Sequence, residues 1–169
     1  NDDKDNCTSW SYLFVHNQKV KSIEEQLKKD GVTHFVHKTI KYVPRHRNRG
    51  GMREVETPSV SGLIFLQGDS ETLQDYLDKN IKPYKLCKNC STGKVATIPC
   101  NQMEPFMRVA ETEPERLRFL LRPFVYYSKN RTLLRIVTGE YAGLEGYVIR
   151  IARDRKLVMD VGGMAVALS

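Results

Sequence analysis

The stretch Arg135-Ile136-Val137-Thr138-Gly139-Glu140-Tyr141-Ala142-Gly143-Leu144-Glu145-Gly146-Tyr147-Val148-Ile149-Arg150-Ile151 sets three glycines between two apolar runs. Glycine tolerates positive φ and close backbone approach, so the spacing reads as a tight loop joining two strands. Tyr141 or Leu144 would then plug the end of a small barrel. Leu133 to Val137, Gly146 to Ala152, Lys156 to Val161 and Met164 to Leu168 read as its four short strands. Residues 131–169 are therefore expected to form a small all-β barrel.

Upstream, Glu111-Thr112-Glu113-Pro114-Glu115 is acidic, contains proline and has no apolar period. That composition reads as a linker, placed at 113–130. Before it, residues 8–112 mix the two periods. Trp10 to Val15 reads as a strand, and Val20, Ile23 and Leu27 follow helical spacing up to Gly31. His34 to Val43 reads as a second strand. Arg45 to Arg53 reads as a hairpin tip around Gly50-Gly51, and Val60 to Gln67 as a strong strand. Ser70 to Lys79 is a helix capped by Asp69 or Ser70. Tyr84 to Ile98 reads as a hairpin-like pair around Ser91-Thr92-Gly93. Asn101 to Ala110 is a helix in which Pro105 is tolerated near the first turn. The class is α+β, with helices flanking an antiparallel sheet.

The chain has 169 residues, a net charge of +7 and a pI near 9.3, which favours a polyanionic neighbour. Its longest apolar runs, such as Leu63-Ile64-Phe65-Leu66, are strand length and too short to cross a bilayer, so no membrane partner is expected. No leader is visible, and a cytoplasmic location is expected. Cysteines stand at 7, 87, 90 and 100, and Cys87-Lys88-Asn89-Cys90 has the spacing of a zinc half-site or a redox pair. No second such pair and no H-x-x-x-H accompanies it. Inert cytosolic thiols, with no metal and no cofactor, are the expectation, with zinc and a disulfide left as alternatives.

The glycine-spaced segment resembles the KOW motif of transcription-elongation factors and ribosomal proteins. The upstream order resembles the N-terminal domain of the NusG family of elongation factors. That order is Trp10, an amphipathic helix, a basic hairpin, Gly62-Leu63-Ile64-Phe65-Leu66, a Leu/Tyr helix, then Ile98-Pro99 leading into Met103-Glu104-Pro105-Phe106-Met107. The resemblance runs from about Ser9 onward. It implies that the first domain docks an apolar depression on the clamp helices of the largest RNA polymerase subunit, suppresses pausing and raises processivity. The residues it assigns to RNA polymerase are Phe14, Val60, Leu63, Phe65 and Met103, each of which would otherwise simply fill the core. The family's aromatic-Pro-Gly/Asn-Tyr entry to this strand is replaced by Val60-Ser61-Gly62-Leu63, which points to a specialised, operon-specific antitermination paralogue.

Two further surfaces are candidates. Lys41, Arg45, Arg47, Arg49 and Arg53, with no acidic residue between Lys38 and Arg53, suit phosphate contact. The resemblance points them at upstream or displaced-strand DNA. The loop residues Tyr141, Gly143, Leu144 and Gly146 are the candidate site for a ribosomal protein or the Rho termination factor. No phosphate-binding glycine loop, nucleophile elbow or H-E-x-x-H is present, so no enzyme is expected. The alternative function is that of a KOW-bearing ribosome-associated or RNA-binding protein.

Overall fold

A computed structural model describes residues 8–44, 52–58, 62–128, 131–139, 141–151 and 153–169, with the backbone alone over 39–44 and 52–58. The order begins with β1 (Trp10–Phe14), α1 (Val20–Lys29), β2 (His34–Phe35), β3 (Lys38–Pro44), β4 (Met52–Pro58) and β5 (Leu63–Gln67). Then come α2 (Ser70–Asn80), α3 (Cys100–Thr112), β6 (Leu117–Pro123), a single turn α4 (Phe124–Tyr127), β7 (Leu134–Arg135), β8 (Glu145–Ile151), β9 (Asp154–Val161) and β10 (Met164–Leu168). They make a mixed α+β molecule with a three-stranded sheet ordered β1-β5-β2, a separate β3–β4 hairpin, and a five-stranded sheet ordered β6-β10-β9-β8-β7. Every registered strand pair is antiparallel.

The uninterrupted apolar run of β5 follows from its place at the centre of the first sheet. Successive side chains point to opposite faces, so Ile64 and Leu66 enter one core and Leu63 and Phe65 the other. The first core is completed by Leu13 and Val15 of the β1 segment, Val20, Ile23 and Leu27 of α1, and Leu73 and Leu77 of α2. Leu27, Ile64, Leu66 and Leu77 are fully enclosed. Each such burial contributes roughly 2 kcal/mol, several times the few tenths of an exposed ion pair, so these helices are held by their apolar faces. Asp69 caps α2, its carboxylate accepting from the Thr72 amide at 3.1 Å.

The first-domain elements lie close to their expected places, with instructive differences. The predicted strand His34 to Val43 splits: β2 stays on the sheet, while β3 leaves it for the hairpin with β4. The predicted hairpin at Tyr84 to Ile98 survives as a turn with one Lys88–Val95 bridge, laid along β1 by Cys87 N–H to Tyr12 O at 2.8 Å. Its end is tied by mutual Trp10–Ile98 bonds. Helix α3 starts one residue earlier and ends two later than expected. Pro105 therefore sits in its second turn rather than its first, buried against the core.

The segment read as a linker is structured. After a 3-10 turn at Pro114–Arg116 it forms β6, which pairs with β10 and supplies the fifth strand of the second sheet. The Leu-Arg-Phe-Leu-Leu-Arg-Pro sequence has a strand's apolar content, but acidic residues and Pro114 just ahead of it mask the signal.

Gly62 precedes β5 with φ +76, and a Cβ there would lie 1.8 Å from the Val15 carbonyl oxygen. Gly62→Ala is expected to destabilise the fold by about 2 kcal/mol or more through combined clash and strain. Urea denaturation measures this, and an unchanged midpoint would contradict the packing described.

Candidate partner-binding surfaces

The second face of the β1–β5 sheet presents Trp10, Tyr12 and Phe14 from β1 beside Leu63 and Phe65 from β5, because β1 and β5 pair with Tyr12 opposite Phe65 and Phe14 opposite Leu63. Helix α3 covers part of this face with Met103, Phe106 and Val109. Phe65 and Phe106 meet at 5.6 Å between ring centroids. The second sheet covers more of it. Phe119 of β6 meets Phe106 edge-on at 6.0 Å, and His37 lies 6.2 Å from both rings. Three of the residues assigned to polymerase, Leu63, Phe65 and Met103, are accordingly enclosed. Val60 lies outside the described residues. Phe14 alone of the described four reaches solvent, with 46% of its surface exposed.

The β9–β10 turn also joins the two sheets. Gly162 and Gly163 have φ +61 and +90, as a two-residue hairpin requires, and Asp160 accepts from the Gly163 amide at 2.7 Å. A Cβ on Gly162 would stand 2.8 Å from both Ile98 and Tyr12, so only glycine lets the turn press onto the first sheet. There the Tyr12 hydroxyl donates to the Gly162 carbonyl at 2.9 Å in a buried bond. Burial pushes the Tyr12 phenol up to about 12, reinforced by the nearby Cys87, Asp160 and Cys90. Burial likewise raises the Asp160 carboxyl and lowers the His37 imidazole.

The glycine-spaced loop folds as its spacing requires, but much of it is committed within the molecule. Gly139 and Gly143 have φ +86 and +99. The Ile136 amide bonds the Leu144 carbonyl and the Gly143 amide bonds the Ile136 carbonyl, each at 2.9 Å. Leu144 is buried in the core shared by both sheets. Gly143 faces Pro105 of α3, and Gly146 is held so near the Val158 carbonyl that no Cβ fits. Tyr141 is grasped by Arg116: the guanidinium donates to its hydroxyl at 2.6 Å and lies 4.8 Å from its ring centre. Arg116 also bonds Glu113 at 3.0 Å and the Ser169 carbonyl at 2.6 Å. Its place in the supposed linker hid this residue from sequence reasoning.

Of the basic hairpin, Lys41 stands opposite Val55 and Arg53 opposite Val43 in the β3–β4 ladder. Arg45, Arg47 and Arg49 lie outside the described residues. Cys87 and Cys90 are free thiols, and burial pushes the Cys87 thiol up. Cys100 is disulfide-bonded, which corrects the expectation that the thiols are uniformly free. Among the described residues, no cluster of three or more His, Cys, Asp or Glu side chains is arranged to hold a metal, and no helix is long and apolar enough to cross a membrane. Neither a protein-family model nor a curated protein sequence matches this chain.

Two pH dependences follow from the interface. Because the Tyr12 pKa is higher folded than unfolded, its contribution to stability is complete below about pH 10 and drains away as pH rises towards 12. Tyr12→Phe is expected to cost about 1 kcal/mol at neutral pH and to flatten the alkaline limb of a stability–pH curve. His37 runs the other way. Its folded pKa lies below the unfolded value of 6.5, so its contribution is present above that pH and is lost on acidification. His37→Leu is expected to shallow the acid limb in thermal melts; an unaltered limb would exclude His37 as its source.

Proposed function

We propose that this protein is a NusG-like regulator of transcription elongation, an operon-specific processivity or antitermination factor that binds RNA polymerase and is not a catalyst. What carries the reading is the order of features along one chain. An α+β unit with a basic hairpin precedes an antiparallel sheet whose strands β7 and β8 flank the glycine-spaced loop. The net charge of +7 fits work beside nucleic acid, with the β3–β4 hairpin directed at upstream or displaced-strand DNA. On this reading the second sheet is a KOW barrel and the site of action is the cytoplasm.

On this reading, burial limits which of the candidate residues can serve the polymerase. Side chains enclosed in the core contact no partner, so Phe14 becomes the anchor for the clamp helices, while Leu63, Phe65 and Met103 shape the floor beneath it. Aromatic anchors at the centre of an interface commonly carry a large share of the binding energy. Recruitment of a ribosomal protein or Rho through Tyr141 requires that Arg116 release the ring.

Purified RNA polymerase is expected to retain the protein in a pull-down, and Phe14→Arg to weaken retention by about tenfold or more while leaving the melting temperature nearly unchanged. Full retention of the variant would remove Phe14 from the interface. Absence of polymerase binding, with co-sedimentation on ribosomes, would replace this function by that of a KOW-bearing ribosome-associated or RNA-binding protein.

A further inference from the structure

Strand β6 lies at an edge of the second sheet, where only β10 pairs with it among the described residues. From Leu117 to Phe119 its side chains alternate, and Leu117 and Phe119 pack into the core shared with the first sheet, whereas the register with β10 shifts between Phe119 and Pro123. Burial fades along the strand: Leu117 is buried, Phe119 is half-buried against Phe106, and Leu121 is fully exposed. The segment with the shifted register borders a gap between the two sheets. The gap is a cleft of about 380 Å³, walled by Tyr12 and Phe14 on one side, Phe119 to Pro123 on the other, and the Gly162–Gly163 turn. Lys88 and Arg122 stand at the cleft, and among the described residues no carboxylate lines it.

A bare apolar edge strand is a template for another strand. What it accepts is decided by charge. Arg118 and Arg122 are exposed on β6, so edge-to-edge pairing with a second copy would bring like charges together. Pro123 closes the strand against extension at that end. A strand carrying carboxylates meets the opposite condition.

We propose that the cleft between β1 and β6 is a docking site for an extended, acidic segment of a partner protein, which adds as a strand to the free edge of β6. Main-chain bonds to β6 hold the segment, an apolar side chain enters between Phe14 and Leu121, and its carboxylates face Lys88 and Arg122. Both sheets contribute walls, so the site exists only while they are packed together. The site shares Phe14 with the surface proposed for polymerase, but the assay below contains no polymerase, so the two readings fail separately.

The test is fluorescence anisotropy on the full chain, with a short labelled peptide alternating aspartate with leucine and valine. The peptide is expected to bind with an affinity that falls as salt rises. A counterpart with lysine for aspartate is expected to bind about tenfold or more weakly, and one interrupted by a central proline not at all. Leu121→Asp and Lys88→Glu, both at surface positions, should each weaken binding by about tenfold or more, whereas Val148→Asp, at an exposed apolar residue on β8, should not. Hydrogen exchange at the β6 amides should slow on peptide addition. Equal binding of the acidic and basic peptides, or unchanged binding by Leu121→Asp, would overturn the proposal. So would a concentration-dependent dimer of the free chain that Leu121→Asp abolishes, because the edge would then belong to self-pairing.

Discussion

The central strand of the first sheet is apolar on both sides, and this demand organises the molecule. A two-sided strand needs two layers to cover it. Helices α1 and α2 supply one layer from local sequence, but α3 covers only part of the opposite face. The second sheet completes it, bringing Phe119, Leu144, Met159 and Val161 into the same cluster as Trp10, Tyr12 and Phe65. The two halves of the chain consequently share a hydrophobic core rather than a tether.

That sharing explains which parts were readable from the residues. Helices α1 and α2, strand β5 and the strands from β8 to β10 carry their own period and turn chemistry, so local rules suffice to place them. The glycine loop also folds as its spacing demands, with Leu144 buried. Strand β6 failed to announce itself because charged residues and a proline just before it mimic a linker. Its strand state depends on β10, more than forty residues further on.

The candidate sites divide along the same line. A sequence names residue types that suit an interface, and Phe14, Leu63, Phe65 and Met103 are such types. It does not say which of them another layer already covers. Of the described four only Phe14 stays open, at the cleft that Phe119 to Pro123 also line. Arg116 is the converse case. Nothing in its neighbourhood marks it, yet it gathers Glu113, Tyr141 and the backbone of Ser169 around one guanidinium.

The placement of β6 also bears on how the fold assembles. Strands β8, β9 and β10 follow one another through tight turns, so their pairings close short loops. Strand β6 must wait for β10 and close a loop spanning the strands between, at an entropic cost that local pairs do not meet. The same strand forms part of the apolar contact between the sheets. The least locally supported strand thus depends on the rest of its sheet, and through Phe119 it adds to a contact between the halves that Leu144, Val161 and the Tyr12–Gly162 bond also make.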